Sequence, residues 1–259
     1  MSRPRRRQRA RIIALLTDFG SESYAGIVKG VVLCHCPEAV LVDLTHDVAP
    51  RAVREAAWHL LTAYRFFPLG TVFLAVVDPD VGTERQALAL EAGGYYFVGP
   101  DNGLLYPAAA SAGMTAAVAL PIPPHASPTF HGRDVFAPAA ARLAAGTSLE
   151  DLGTPTRPRS CLSFYLQGRE GEVVSVDHFG NAITNLPPLP GRNSYRLTLS
   201  RRGEQYFQSE LPAYETYARA PLGTPFLLVG SAGTLEVSVR NDSAARLLEI
   251  EAGDRIRAE

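Results

Sequence analysis

Short apolar runs alternate with amphipathic helical patterns along the first half of the chain. Each run is almost continuously apolar, which is typical of strands buried on both faces of a parallel sheet. The alternation predicts an α/β domain built on a mainly parallel sheet with helices on both faces. The predicted elements are strands at residues 12–16, 40–44 and 72–77 and helices at residues 24–34, 52–66 and 135–145.

The pattern changes in the second half of the chain. After a segment at 153–158 that has the composition of a linker, helical periodicity nearly vanishes and short strands alternate with turns. This pattern predicts a smaller all-β barrel domain. The predicted boundaries are 1–11 for a basic, disordered terminus, 12–160 for the α/β domain and 168–259 for the β-barrel domain.

Polar side chains collect where the predicted parallel strands end. Asp18 follows the first strand and Asp78 follows the third, while Asp43 and His46 lie at the end of the second. In open α/β sheets, ligands bind beyond the carboxyl ends of the strands, so these residues are the first candidates for a site. The Asp18 carboxylate is suited to both hydroxyls of a ribose, although a simple acid at a helix N-terminus would look the same.

Composition and charge argue against several classes of protein. The chain has 259 residues, 46% of them hydrophobic, and a formal net charge of −1, so it lacks the overall field that recruits nucleic acid or anionic membranes. We interpret the arginine-rich start as a solvated terminus. The apolar run at 12–16 is too short for a signal peptide, no stretch could span a bilayer, and three cysteines cannot form a disulfide framework. We therefore expect a cytoplasmic protein.

Two segments of the first half are candidates for catalysis. Residues 78–85 read DPDVGTER, and this turn brings Asp78 and Arg85 close enough to pair. A structural ion pair is the alternative interpretation. His131 lies between an aromatic residue and Gly132 just before a helix, where its ring could face a cleft or could belong to the core.

Other segments have simpler interpretations. No motif for a nucleoside triphosphate, a dinucleotide or a zincin metal is present. Cys34 and Cys36 lack a second pair at zinc-finger spacing, so we interpret them as buried structural thiols. The PDNG sequence at 100–103 predicts a tight turn. Asn181 has the amide that bonds adenine at N6 and N7, although its segment also has the composition of a turn.

Taken together, these motifs form an ordered set. The set resembles the SAM hydroxide adenosyltransferases, also called adenosyl-forming S-adenosylmethionine hydrolases, which are relatives of the fluorinases and chlorinases. Several motifs in one order are more specific than any one of them. The matching segments are LTDFG at 16–20, DPDVGTER at 78–85, PDNG at 100–103, TFHGRD at 129–134, DHFGNAITN at 177–185, and GSAG at 230–233 with Leu235-Glu236-Val237 and Asn241.

The resemblance implies hydrolysis of S-adenosylmethionine by water or hydroxide at C5′, giving adenosine and L-methionine. It implies a homotrimer with active sites at the subunit interfaces, with no cofactor and no metal. The resemblance also assigns roles to single residues. The implied catalytic triad is Asp78, Arg85 and His131, and Asp18 is the implied ribose contact.

The implied contacts of the second domain lie in two motifs. Asp177 and Ser231 are the implied contacts of the methionine ammonium and carboxylate, Asn181 is an implied adenine contact, and Asn241 is a further substrate-binding residue. One departure from the family pattern occurs in the first domain, where Asp80 replaces a common glycine. Aspartate tolerates positive φ better than most residues, so we expect the loop to survive.

Three alternatives to hydrolysis remain. The first is halogenation, which His131 and Gly132 oppose, because the resemblance places a tyrosine at the first position in halogenases and a serine at the second in fluorinase. The second is a non-catalytic S-adenosylmethionine sensor. The third is a metal hydrolase built from Asp18, Asp43, His46 and Asp78.

Overall fold

The structure of the protein is a computed structural model that describes residues 11–259. The predicted basic terminus lies outside the described residues, apart from Arg11, whose guanidinium pairs with Glu38 at 2.7 Å. The chain divides into two compact units, the first ending at Leu162 and the second running from Ser163 to Glu259.

The first unit is a seven-stranded sheet with four α-helices, counted within residues 11–162. A 3₁₀ turn follows the second helix, and a π-helical turn precedes the fourth. The elements are β1 (Ile12–Thr17), α1 (Tyr24–His35), β2 (Val40–Thr45), α2 (Val53–Ala63), β3 (Val72–Val76), β4 (Ala87–Ala92), β5 (Tyr95–Pro100), α3 (Tyr106–Ala112), β6 (Met114–Ala119), α4 (Ala137–Ala145) and β7 (Thr154–Pro155).

The sheet is mixed, so the prediction of a mainly parallel sheet is only partly right. Its strand order is β2-β1-β3-β5-β4-β6-β7, and only the pairings among β2, β1, β3 and β5 are parallel. The remaining pairings are antiparallel because β4 and β5 form a hairpin. Gly93 and Gly94 connect them at φ of 56° and 83°, the positive values that a two-residue hairpin turn favours.

Helices cover both faces of this sheet, as predicted. Alternate residues of β1 point to opposite faces. Ile13 joins the core formed with α1 and α4, whereas Leu16 joins the core formed with α2 and α3. The predicted linker also contributes to the unit, because β7 adds an edge strand beside β6. A proline is tolerated there because an edge strand need not donate every hydrogen bond.

The parallel centre of the sheet brings two candidate residues to one edge. β1 and β3 are neighbours in parallel register, with Thr17 opposite Val76. Asp18 follows β1 and Asp78 follows β3. Both residues therefore lie at the edge of the sheet where these parallel strands have their carboxyl ends.

The second unit confirms the predicted all-β architecture. Within residues 163–259, seven strands pair in the order β11-β10-β14-β8-β9-β13-β12, and each pairing of neighbouring strands is antiparallel. A bridge between Ala213 and Leu227 joins the two outermost strands, so the sheet is nearly closed like a barrel. The strands and helix are β8 (Glu170–Val176), β9 (Ala182–Thr184), β10 (Ser194–Arg201), β11 (Glu204–Pro212), β12 (Pro225–Val229), β13 (Leu235–Val239), α5 (Ala244–Leu247) and β14 (Arg255–Ala258).

None of the helices in the described part of the chain combines the length and apolar character needed to cross a membrane.

Candidate active site

The structure brings Asp78, Arg85 and His131 together in the first unit. Asp78 follows β3, and Arg85 lies just before β4. The Arg85 Nε donates to Asp78 Oδ1 at 2.7 Å, and its Nη2 donates to Oδ2, so the pair is bidentate. Their side chains are only 7% and 6% exposed. A buried carboxylate therefore balances the buried guanidinium.

His131 completes this cluster. Arg85 Nη2 also donates to His131 Nδ1 at 2.9 Å, and the imidazole is buried. A guanidinium has no acceptor, so Nδ1 must accept this bond and the proton of the neutral ring must lie on Nε2. Burial, and then the charge of Arg85, lower the pKa of His131, although Asp78 opposes this shift. The neutral ring is thus the stable form at neutral pH.

The loop between Asp78 and Arg85 is held close to the segment that precedes His131. Gly82 has φ of 82°, and a β-carbon there would lie 2.4 Å from the carbonyl oxygen of Pro128. Asp80, the residue that departs from the family pattern, does not adopt positive φ in this loop. Gly82, and not Asp80, has the positive φ in this loop, so Asp80 fits without backbone strain.

A π-helical turn at Gly132–Phe136 presents His131. A β-carbon on Gly132 would lie 3.3 Å from the Phe19 ring and 3.4 Å from the Phe130 ring, so little room remains beside the histidine. The Arg85 guanidinium lies 5.4 Å from the centroid of Phe136 in the same turn. π-Helical turns are rare and frequently occur at functional sites.

Asp18 lies partly exposed at the end of β1. Its Oδ2 accepts a hydrogen bond of 2.9 Å from the backbone N–H of Arg51, which has φ of 66°. The Thr17 hydroxyl lies 2.8 Å from His46 Nδ1 and accepts a bond from the backbone of Phe19. These contacts fix the turn that carries the Asp18 carboxylate.

The four residues of the metal-hydrolase hypothesis do not form a metal site. Lys29 Nζ donates to Asp43 Oδ2 at 2.7 Å, and His46 Nε2 lies 3.1 Å from Asp43 Oδ1. Asp78 is occupied by Arg85. Over residues 11–259, no group of three or more histidines, cysteines or carboxylates is arranged to hold a metal ion.

Two further sequence interpretations can be compared with the first unit. Cys36 is buried as predicted, but Cys34 is exposed, because it lies on the outer side of α1. The PDNG segment forms the predicted turn, in which Asn102 Nδ2 donates to the Val77 carbonyl at 2.7 Å. This bond ties the turn to the strand that leads to Asp78.

In the second unit, Asp177 and Asn181 form one structure between β8 and β9. Asp177 Oδ1 accepts from the backbone N–H groups of Phe179 and Asn181, at 2.9 and 2.8 Å. Asp177 Oδ2 accepts from Asn181 Nδ2 at 2.8 Å. The Asn181 side chain is thereby oriented, with its carbonyl oxygen and a second N–H free of this contact.

Ser231 and Asn241 lie elsewhere in the second unit. Ser231 is exposed in the hairpin that joins β12 to β13, and Asn241 is exposed in the turn after β13. Asn241 has φ of 61°, a value that asparagine tolerates better than most residues. The structure does not connect either residue to Asp177 by a hydrogen bond within the described chain.

Sequence reasoning gave no role to a buried polar pair in the second unit. Glu236 is only 6% exposed, and Tyr217 donates to its Oε2 at 2.8 Å. A β-carbon on Gly230 would lie 1.7 Å from Oε1, so this carboxylate needs the glycine beside it. The available sequence signal was a glutamate between Leu235 and Val237 in a predicted strand.

Similarity to known proteins extends over nearly the whole chain. Family profiles described as the SAM hydroxide adenosyltransferase N-terminal and C-terminal domains match residues 13–153 and 171–257. The (R)-S-adenosyl-L-methionine hydrolase of Thermus thermophilus is 40% identical, covering 95% of this chain and 99% of the relative. The fluorinase of Nocardia brasiliensis is 30% identical, covering 93% and 94%. A crystal structure of an uncharacterized conserved protein from Thermotoga maritima matches with a TM-score of 0.87 and 33% identity, covering 95% of this chain and 100% of that one.

Proposed function

The chain belongs to the SAM hydroxide adenosyltransferase family, and we propose that it hydrolyses S-adenosylmethionine at C5′ to adenosine and L-methionine. The observation that carries the proposal is the buried cluster of Asp78, Arg85 and His131 at the carboxyl end of β3. In the reaction, oxygen bonds to C5′, the C5′–S bond breaks with both electrons going to sulfur, and the attacking water releases one proton to the surrounding solvent. The leaving thioether is neutral, so no general acid is needed.

The cluster suits the nucleophile of this reaction. Its neutral histidine has an Nε2–H with which to hold the attacking oxygen in line with the C5′–S bond. The Arg85 guanidinium supplies the positive charge that favours hydroxide character on that oxygen. A fixed, aligned nucleophile contributes a proximity effect of about 7–11 kcal/mol in well-oriented systems.

Asp78 has two roles in this proposal. Its bidentate bond orients the guanidinium, and its negative charge offsets that of Arg85. Without this offset, Arg85 would repel the sulfonium of the substrate. The cluster can thus polarise an oxygen and still admit a cationic substrate.

The remaining proposed contacts bind the two ends of the substrate. Asp18 binds the ribose hydroxyls, with its Oδ1 free of the bond to Arg51. Asp177 binds the methionine ammonium and Ser231 the carboxylate, while Asn181 binds adenine. Asn241 is a further substrate contact near the end of β13.

We also propose the wider setting of this activity. The protein acts in the cytoplasm as a homotrimer whose active sites lie at the subunit interfaces, and it needs no cofactor or metal. Support for the trimer comes from family membership.

The test is formation of adenosine and methionine from S-adenosylmethionine by purified protein, with Arg85→Ala and Asp78→Asn beside it. We expect stoichiometric products from the wild type, unchanged rates with a chelator, and rates at least about 100-fold lower in both variants. Tight binding without turnover in the wild type would instead identify a sensor. Loss of activity with the chelator would restore the metal hypothesis.

A further inference from the structure

One face of β13 carries polar residues that are buried without belonging to the barrel core. Leu235, Val237 and Val239 point into the core, whereas Glu236 and Ser238 point to the other face. Both polar residues are buried, with 6% and 0% exposure. The segment between β11 and β12 reaches this face through the Tyr217 hydroxyl, which bonds to Glu236.

Two carboxylates, those of Glu236 and Asp177, lie near this face. In the part of the chain that the structure describes, no lysine, arginine or histidine forms a salt bridge with Glu236 or Asp177. Burial, and then the nearby charge of Asp177, raise the pKa of Glu236, although the Tyr217 hydrogen bond opposes the shift. The strand register also brings them together, because Val176 and Val237 both lie opposite Ala182. Their chain neighbours Asp177 and Glu236 therefore lie on the other face of the same sheet.

The charged groups around this face are occupied elsewhere. Arg240 is the residue after β13, and its Nη1 donates to the Ala220 carbonyl at 3.1 Å. Arg219, two residues after Tyr217, pairs with Glu215 at 3.0 Å, and both side chains are largely exposed. Neither guanidinium compensates the buried carboxylate.

The Ser238 hydroxyl is a second polar group on this face that could bind a ligand. Its Oγ is fully buried and has no hydrogen-bond partner within residues 11–259. Burial, and then the bond to Glu236, raise the pKa of the neighbouring Tyr217, and the Ser238 hydroxyl slightly opposes this shift. Leaving a buried hydroxyl unpaired is costly, and native structures rarely do so. A donor supplied by a ligand would satisfy it.

We propose that Glu236 is a second carboxylate of the ammonium subsite, so that Asp177 and Glu236 together bind the primary ammonium of the amino-acid end of the substrate. An alkylammonium has three donors, which matches two carboxylates and the Ser238 hydroxyl. Binding of the cation relieves the repulsion between the buried Glu236 carboxylate and the partly buried Asp177 carboxylate. The inference rests on the proposed function, because it takes Asp177 as the ammonium contact.

The test compares two unreactive ligands by titration calorimetry. S-adenosylhomocysteine keeps the amino-acid end, whereas 5′-methylthioadenosine lacks it, and neither has a sulfonium to act as a leaving group. In Glu236→Gln, we expect affinity for S-adenosylhomocysteine to fall by about tenfold or more, with affinity for 5′-methylthioadenosine changed less than about twofold. Glu215→Gln removes the same charge from an exposed position and is expected to change neither affinity.

Equal effects of Glu236→Gln on both ligands, or no effect on either, would overturn the proposal. Ser238→Ala is the second variant, because it keeps the Glu236 carboxylate and removes only the hydroxyl. It tests the proposed subsite even if Glu236→Gln does not fold. We expect it to weaken S-adenosylhomocysteine alone, and an effect on neither ligand or on both would count against the subsite. Failure of the proposed function would look different, since the wild type would then neither bind S-adenosylhomocysteine nor hydrolyse S-adenosylmethionine.

Discussion

At the scale of single residues, Arg85 is the centre of the candidate site. Its Nε and Nη2 both donate to Asp78, and Nη2 also donates to His131. Such a network depends on the planar fork of a guanidinium, which holds several donors in fixed directions. The charge of Arg85 and the neutral state of His131 are thus parts of one arrangement.

Arg85→Lys should therefore be far from conservative. An ammonium cannot make the bidentate bond to Asp78 and reach His131 in the same geometry, so we expect kcat to fall by about 100-fold or more. Steady-state formation of adenosine measures this. Arg133→Lys is the matched control, because Arg133 also makes a bidentate bond to an aspartate, its neighbour Asp134, but is partly exposed and lies over the Phe130 ring. Similar losses in both variants would contradict the role of Arg85.

The pH dependence of kcat follows from His131. Protonation would remove the Nδ1 acceptor that Arg85 uses and would set two cations against each other. Since burial, and then Arg85, lower the pKa of His131, kcat should stay constant down through about pH 6.5 and fall only at lower pH. A pH profile of kcat tests this, and an acid limb centred above about pH 6.5 would contradict it.

The same shift has a consequence for folding. The unfolded histidine binds its proton at a higher pH than the folded one. His131 therefore costs stability as the pH falls below about 6.5 towards its lowered folded pKa. His131→Gln should remove this part of the pH dependence, as measured by urea unfolding at several pH values.

At the scale of elements, the central strands and helices of the first unit could be predicted because each strand is a nearly continuous apolar run and each helix has an amphipathic pattern. The hairpin of β4 and β5 was missed, although Gly93 and Gly94 are a turn signal, because these strands interrupt the alternation of strands and helices. The π-helical turn beside His131 was not predicted from the sequence, and its first residue, Gly132, lies close to the rings of Phe19 and Phe130.

In the candidate site, the sequence likewise identified residues but not the contacts between them. Asp78, Arg85 and His131 belong to recognisable segments, whereas the bond between Arg85 and His131 depends on tertiary folding. The sequence assigned no role to Glu236, because its hydrogen-bond partner Tyr217 comes from a segment without a clear secondary-structure pattern. The sequence thus predicted many of the elements but not the contacts between them.

The loop before Arg85 provides a test of element packing. Gly82 and Gly113 both have φ of 82°, but a β-carbon on Gly82 would meet the Pro128 carbonyl oxygen at 2.4 Å, whereas one on Gly113 would meet open space. Gly113→Ala should cost only the left-handed backbone strain of about 1–2 kcal/mol, with kcat unchanged. Gly82→Ala carries the same strain and must also displace the loop, so it should lose more stability and most of kcat. Urea unfolding and adenosine assays compare them, and equal behaviour of the two variants would contradict this packing.

At the scale of the whole molecule, the proposed contacts are divided between the two units. The first carries the triad and Asp18, and the second carries Asp177 and Asn181. Each unit has its own core, so each can present its residues on a rigid scaffold. The proposed trimer supplies a reason for this division, because one subunit would complete the site of another.

Mixing of variants tests the proposed trimer. Light scattering should give three times the mass of one chain. Arg85→Ala and Asp177→Ala should each be inactive, but subunits of the two exchanged into one trimer should regain part of the activity, because some sites would then receive both intact residues. A monomeric mass, or no recovery despite verified exchange of subunits, would contradict sites at the subunit interfaces.

The central claim is that water attacks C5′ of S-adenosylmethionine. Mass spectrometry of the nucleoside formed in ¹⁸O-labelled water containing chloride tests it most directly, with Arg85→Ala as the control. The account predicts adenosine with one labelled oxygen at the 5′ position, formed by the wild type and not by the variant. Formation of 5′-chloro-5′-deoxyadenosine, or adenosine without the label, would contradict it.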